Sequence, residues 1–257
     1  MPGNEERVIN FLVRALENKE YIVLPKIGEL HSVSMPYENG LRQITNTNQL
    51  KQFSSSDKHK KADVYLNNIG ISMKEGVSPI YNKIQRKHLS VLFKYLFPEK
   101  QFLEKFLKTI DQKIEEVNKG SKRDIPWQDV FSEEEFSPIL KFLMLEGYAD
   151  TKISSYPSQY ILIAPKHISE ENKSDIKVLT FEEYFSEYKN KIVLAARRIW
   201  IGMKSKSEGR RASSMSKVKE NQKWIFKNIS GEPREWDSSL PSQDRREVFY
   251  LNINTIT

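Results

Sequence analysis

The first apolar pattern along the chain is helical: Val8, Phe11, Leu12 and Ala15 recur at three- and four-residue spacing. Glu5 and Glu6 stand at its start, where a helix dipole favours negative charge, so an amphipathic helix is expected over residues 5–17. From Tyr21 to Phe53 the pattern breaks into a short apolar run ended by Pro25, then Gly28, then a Thr/Asn-rich stretch at 44–49. This reads as short strands and loops. Residues 62–74, ADVYLNNIGISMK, are β-branched and aromatic on both sides of Asn67-Asn68, a pair that tolerates positive φ, and a hairpin is predicted there. Two helices are predicted at 80–96 and 99–118, divided by Pro98, with Phe102, Phe106, Leu107, Ile110, Ile114 and Val117 as the apolar stripe of the second. A third begins at Ser132, which forms a capping-box pattern with Glu135, and ends near Gly147. A second hairpin is expected over 148–166 around Tyr156-Pro157. Beyond a polar linker at 169–176, FEEYFSEYKNK reads as a helix, and KIVLAARRIWIGM and KWIFKNI read as strands around a basic loop. This order predicts an α/β fold, one domain over 1–257 with a mixed central sheet flanked by helices and a helical insertion at about 80–147.

A two-residue turn at Asn67-Asn68 sets residue 63 opposite residue 72. Strand alternation then points Asp63, Ser72 and Lys74 to one face and Val64, Ile71 and Met73 to the other, toward a core. Opposed side chains lie about 5 Å apart and diagonal ones about 7–8 Å, close enough for one metal-bound water to touch both Asp63 and Lys74. A carboxylate there can hold Mg²⁺, and a lysine can orient a water or neutralise charge developing on a phosphate. An Asp and a Lys on one hairpin face are also the makings of an ordinary solvated ion pair.

Composition narrows the chemistry. The absence of cysteine among 257 residues excludes disulfides, thiolate nucleophiles and Cys-based metal centres. His31, His59, His88 and His167 have no metal-ligand spacing, and no phosphate-cradling glycine loop or G-x-S-x-G elbow occurs. The polar start MPGNEER and the lack of an apolar run near 20 residues lead us to expect neither a secretory signal nor a membrane helix, and a cytoplasmic setting. The net charge is +7, and it is concentrated: between Met203 and Lys219 six basic residues face only Glu208. With Gly202 before it, Gly209 within it and four serines between Ser205 and Ser214, the stretch 203–219 reads as a flexible loop that orders on a polyanion. Arg210 or Arg211 is suited to bidentate guanine readout and the lysines to phosphates.

Asp63, followed by a second strand ending in Ser72-Met73-Lys74, resembles the PD-(D/E)xK nuclease motif. The surroundings are similar to the small MspI-like type II restriction endonucleases, weakly over residues 4–228 and mainly over 62–166. The supporting stretches are Tyr81 to His88 after the second strand, Phe131-Ser132-Glu133-Glu134-Glu135, and Tyr160 to Lys166. The resemblance implies a restriction-endonuclease-like fold and an Mg²⁺-dependent enzyme, monomer or homodimer, that cuts double-stranded DNA at a short site, leaving 5′-phosphate ends. It assigns the metal to Asp63, the attacking water to Lys74, and a supporting hydroxyl or carbonyl to Ser72, which stands where the family has a second acid. One metal ion therefore fits better than two. Glu5 matches the extra glutamate that the family often adds from its first helix, with Glu6 as its neighbour. The DNA contacts expected with these are Lys83, Gln85 and Lys87 after the hairpin, and Lys204, Lys206, Arg210, Arg211 and Ser213 in the basic loop. The alternative is a non-catalytic winged-helix-like DNA binder, suggested by the helix after Ser132 with a hairpin behind it.

Overall fold

A computed structural model describes residues 4–38, 40–53, 60–74, 80–99, 103–204, 206–227, 239, 241 and 244–256, without the side chains of Asn4 and Lys206. In chain order the elements are α1 (Asn4–Glu17), β1 (Val23–Leu24), β2 (Gly28–Glu29), β3 (Val33–Tyr37), β4 (Gly40–Gln43), α2 (Thr47–Gln52), β5 (Val64–Leu66), β6 (Ile69–Lys74), β7 (Tyr81–Ile84), α3 (Arg86–Leu96), α4 (Leu103–Asn118), β8 (Asp124–Pro126), α5 (Glu133–Lys141), β9 (Tyr160–Ile163), β10 (Lys177–Leu179), α6 (Phe181–Tyr188), β11 (Ile192–Ile201), α7 (Lys206–Ser216), β12 (Ile225–Phe226) and β13 (Arg246–Thr255). The architecture is mixed α/β. A first sheet has the order β10-β9-β6-β5-β3-β4, a second runs β12-β13-β11-β8 with β7 also on β13, and β1 and β2 form a small ribbon. Among the described strands only β6 and β9 pair in parallel.

The hairpin forms as its sequence predicts. Asn67 and Asn68 take φ of +49° and +66°, and Val64, Tyr65 and Leu66 pair with Ile71, Gly70 and Ile69. The Asn67 side chain accepts from His31 N and Ser32 N and donates to Glu29 O, which ties the turn to the preceding segment. Gly70 is needed where it stands, because a Cβ there would collide with the Pro157 carbonyl. On one face of the first sheet, Val64, Leu66, Ile71, Met73 and Leu162 pack against Val8, Ile9, Leu12 and Val13 of α1. Of the predicted stripe, Val8, Leu12 and Ala15 are buried and Phe11 is half-buried, with Ile9 and Val13 widening the buried face, and truncating a residue such as Leu12 to Ala costs about 2–5 kcal/mol. The other face turns toward a second core. Ile161, the registered partner of Ser72, belongs to the cluster built from α3, α4, α5 and the second sheet.

Four expectations need correction. The stretch 80–147 is not a purely helical insertion: Tyr81–Ile84 is a strand on β13 and Asp124–Pro126 a strand on β11, so the segment completes the second sheet and there is no single central one. No hairpin forms around Tyr156-Pro157. The Tyr156 carbonyl accepts from Lys61 N and Ala62 N, and β9 takes the free edge of β6. The winged-helix alternative loses its wing with that hairpin. The basic loop at 203–219 is largely α7, whose Ala212 and Met215 pack on Ile199 and Val248, followed by a 3₁₀ turn at Lys219–Trp224. Finally, the Thr/Asn-rich stretch contains α2, capped by Asn46, whose side chain accepts from Gln49 N at 2.9 Å. The capping box at Ser132 and Glu135, by contrast, is present as expected.

Candidate active site

Asp63 immediately precedes β5, and its N–H continues the ladder to Ile71 O at 2.8 Å. Its Oδ2 accepts from Met73 N at 2.8 Å, so the carboxylate lies across the end of β6. Among the described residues nothing hydrogen-bonds to its other oxygen. Ser72, 1% exposed, has a buried Oγ without a hydrogen-bond partner. Lys74 closes β6, half-buried. The three residues that the hairpin register predicts to share a face are thus together. A buried hydroxyl left unpaired costs about 1–3 kcal/mol, and such a cost is retained where a ligand relieves it.

A fourth residue, missed in the sequence, completes the charge pattern. Lys61 is two residues before Asp63, which in extended chain returns a side chain to the same side. Its Nζ donates to Leu143 O at 2.6 Å and stands 4.6 Å from the Tyr81 ring centroid and 4.2 Å from that of Tyr148. Burial, reinforced by the Lys74 charge, brings its pKa down to about 7 against the pull of Asp63. Burial likewise pushes Asp63 above the usual carboxylate range, although Lys74, the Met73 N–H, Lys60 and Lys61 all pull it down. One carboxylate among three lysines, with Lys61 only partly charged at neutral pH, leaves a positive field suited to a polyanion.

The metal-binding capacity follows from the same inventory. The open oxygen of Asp63 and the Ser72 hydroxyl are hard oxygen donors, and these two residues would hold an Mg²⁺ ion if one were bound. Among the described residues no group of three His, Asp or Glu side chains suited to a metal occurs. Glu5 lies in the exposed first turn of α1. Two residues on, Arg7 Nη1 donates to Lys166 O at 3.3 Å, which sets this turn beside the end of β9. Because Ile163 pairs with Lys74, it is the same end of the sheet as the site.

The expected DNA-contacting residues fall into two neighbouring groups. Lys83 is exposed in β7 rather than on a helix, in a left-handed conformation (φ +63°), with its N–H held by Asn252 Oδ1 at 2.9 Å. Gln85 is the N-cap of α3 and Lys87 lies in its first turn. Asn221 joins them to α7: its Nδ2 donates to Gln85 Oε1 and Met215 O, and its Oδ1 accepts from Lys87 N. The Gln85 carbonyl is therefore committed inside the protein. Lys204 and Arg210 are exposed, while Arg211 and Ser213 are half-buried on α7. Tyr250 lies near both Arg211 and Arg197. Lys206 begins α7, and its side chain lies outside the described residues.

Next to the Lys61 cage is a cavity of about 260 Å³ lined by Tyr81, Lys83, His88, Tyr148, Ala149, Asp150 and Lys152. Burial, then the Lys87 charge, brings His88 down to about 4, so its ring is neutral at pH 7. No family model, curated protein or solved structure matches the chain, and no described helix is long and apolar enough to cross a membrane.

Proposed function

We propose that this chain is an Mg²⁺-dependent endonuclease of the PD-(D/E)xK kind, hydrolysing double-stranded DNA at a short site and serving restriction of foreign DNA in the cytoplasm, as a monomer or homodimer. The observation that carries the reading is the meeting of a half-open Asp63 carboxylate, an unpartnered Ser72 hydroxyl and Lys74 on adjoining strands. The half-bonded carboxylate and the unpaired hydroxyl beside it are two oxygen donors of the kind a hydrated magnesium ion takes.

Asp63 and Ser72 would hold the ion. Bound there, Mg²⁺ polarises the scissile phosphate and lowers the pKa of its water. Lys74 donates to the attacking water and turns its lone pair in line with the bond to the 3′ oxygen, then offsets the charge that gathers on the phosphate. Water oxygen bonds to phosphorus as the P–O3′ bond breaks, the proton given up by the water passes to solvent and O3′ takes one from solvent, leaving a 5′-phosphate and a 3′-hydroxyl. Lys60 and Lys61 add the positive field that draws the backbone to Asp63. The basic side chains of α7, with Lys83 and Lys87 nearby, supply phosphate contacts, and Arg210 or Arg211 base contacts.

The test is incubation of the purified protein with a fully sequenced plasmid and Mg²⁺, with EDTA and Lys74→Ala as controls. Discrete fragments that disappear in both controls are expected, and sequencing their ends gives the target. Intact plasmid that is nevertheless retarded on a gel would overturn catalysis and leave a binding protein.

A further inference from the structure

We propose that the cavity between β7 and the turn at residues 147–152 is a nucleotide site, holding a nucleobase against the rings of Tyr81 and Tyr148 and its phosphate on Lys83 and Lys152. At about 260 Å³ it is smaller than the roughly 300–1,000 Å³ typical of drug-sized ligands and suited to one base. Three of its seven lining residues are planar rings, and base–aromatic stacking tolerates any base because each has a π-face. Tyr81 Oη accepts from Ala149 N at 2.9 Å, so its own hydrogen remains to be donated. Exposed lysines stand on both sides, each beside or within a left-handed turn: Lys83 itself at φ +63°, and Lys152 following Thr151 at φ +65°. The second turn is closed by Thr151 N to Tyr148 O at 2.8 Å and Tyr148 N to Lys152 O at 2.9 Å, and it sets Lys152 Nζ 3.3 Å from Asp150 Oδ2 in an exposed pair whose cation a phosphate would share. Backbone held in this region concentrates at ligand sites.

The two rings that wall the cavity are the rings that flank Lys61, two residues from Asp63. The cavity therefore lies on the Lys61 side of Asp63. The chemistry belongs equally to a free nucleotide and to an unstacked nucleotide of a DNA strand, and the second source rests on the nuclease reading.

The experiment titrates the full-length protein against two fluorescent probes, 2-aminopurine deoxyriboside 5′-monophosphate and a single-stranded trinucleotide with 2-aminopurine at its centre. Stacking on tyrosine quenches both, so saturable quenching is expected, weakened about fivefold in Lys152→Gln and in Lys83→Asn, which keeps a residue tolerant of positive φ. Binding of the trinucleotide at least tenfold tighter supports a strand as the ligand, and equal binding supports a free nucleotide. No saturable quenching with either probe, or unchanged affinity in both variants, overturns the site. Plasmid cleavage without quenching would remove the cavity's role and leave the nuclease, while quenching without cleavage would do the reverse.

Discussion

At Asp111, in the middle of α4, both carboxylate oxygens are taken. Arg86 donates from Nε at 2.7 Å and from Nη2 at 2.8 Å, and Trp224 Nε1 adds a third bond at 2.9 Å. Arg86 also reaches Glu220 O at 3.0 Å, so one ionic knot fastens α3, α4 and the turn after α7. Asp63 has more cations around it and fewer bonds: a backbone N–H on one oxygen, three lysines in the surroundings, and an unpaired serine beside it. The contrast separates two uses of a shielded charge. Where fixed donors saturate the carboxylate it holds architecture, and where they do not it keeps capacity for something that arrives.

The comparison is sharpened most by exchanging function for stability at the two sites. Lys74→Ala should lower Mg²⁺-dependent cleavage on the order of 10²–10⁴-fold with little change in Tm, measured by plasmid digestion and thermal melting. Asp111→Ala should do the opposite. Leaving Arg86 buried without its partner costs about 3 kcal/mol or more, roughly 6–12 °C in Tm for a chain of this size, with cleavage per folded molecule retained. Equal melting losses in Asp63→Ala and Asp111→Ala would break the distinction.

A smaller effect follows from protonation. Because burial raises Asp63, the native state loses stability as pH climbs through the raised value, the unfolded chain having already ionised in the ordinary carboxylate range. Asp63→Asn, still able to accept from Met73 N, should therefore melt higher at pH 8 in metal-free buffer, by about 1 kcal/mol, and lose that advantage below about pH 4. Smallest is the removal of one exposed charge: Lys204→Ala should reduce the salt dependence of DNA binding by about one unit of log–log slope, read by fluorescence anisotropy.

The hairpin was legible because everything that decides it is local. Asn67 and Asn68 choose the turn, and the turn chooses the register that brings Asp63, Ser72 and Lys74 to one face. Lys61 was not, since its meaning depends on Tyr81, Leu143 and Tyr148, brought in by β7 and the end of the α5 region. The segment 206–216 misled for a related reason. Glycine and serine lower helix propensity, but Ala212 and Met215 find Ile199 and Val248, and tertiary burial prevails. Gly209 is part of that fit, because Met203 O lies 3.1 Å from where its Cβ would be. At 81–84, inside the helix predicted over 80–96, β13 offered an open edge and Lys83 adopted a conformation no helix contains.

The two-residue turn also sets an order of assembly. Strands joined so closely meet within about 1–10 μs, whereas the parallel partner β9 arrives only after the whole chain between Lys74 and Tyr160 has closed, a slower non-local step. Asp63 and Lys74 therefore come together while still in water, and the carboxylate loses its hydration afterwards. The energetic penalty at Asp63 then belongs to the late side of the folding barrier. Substitutions there act mainly on how fast the protein comes apart rather than on how fast it forms.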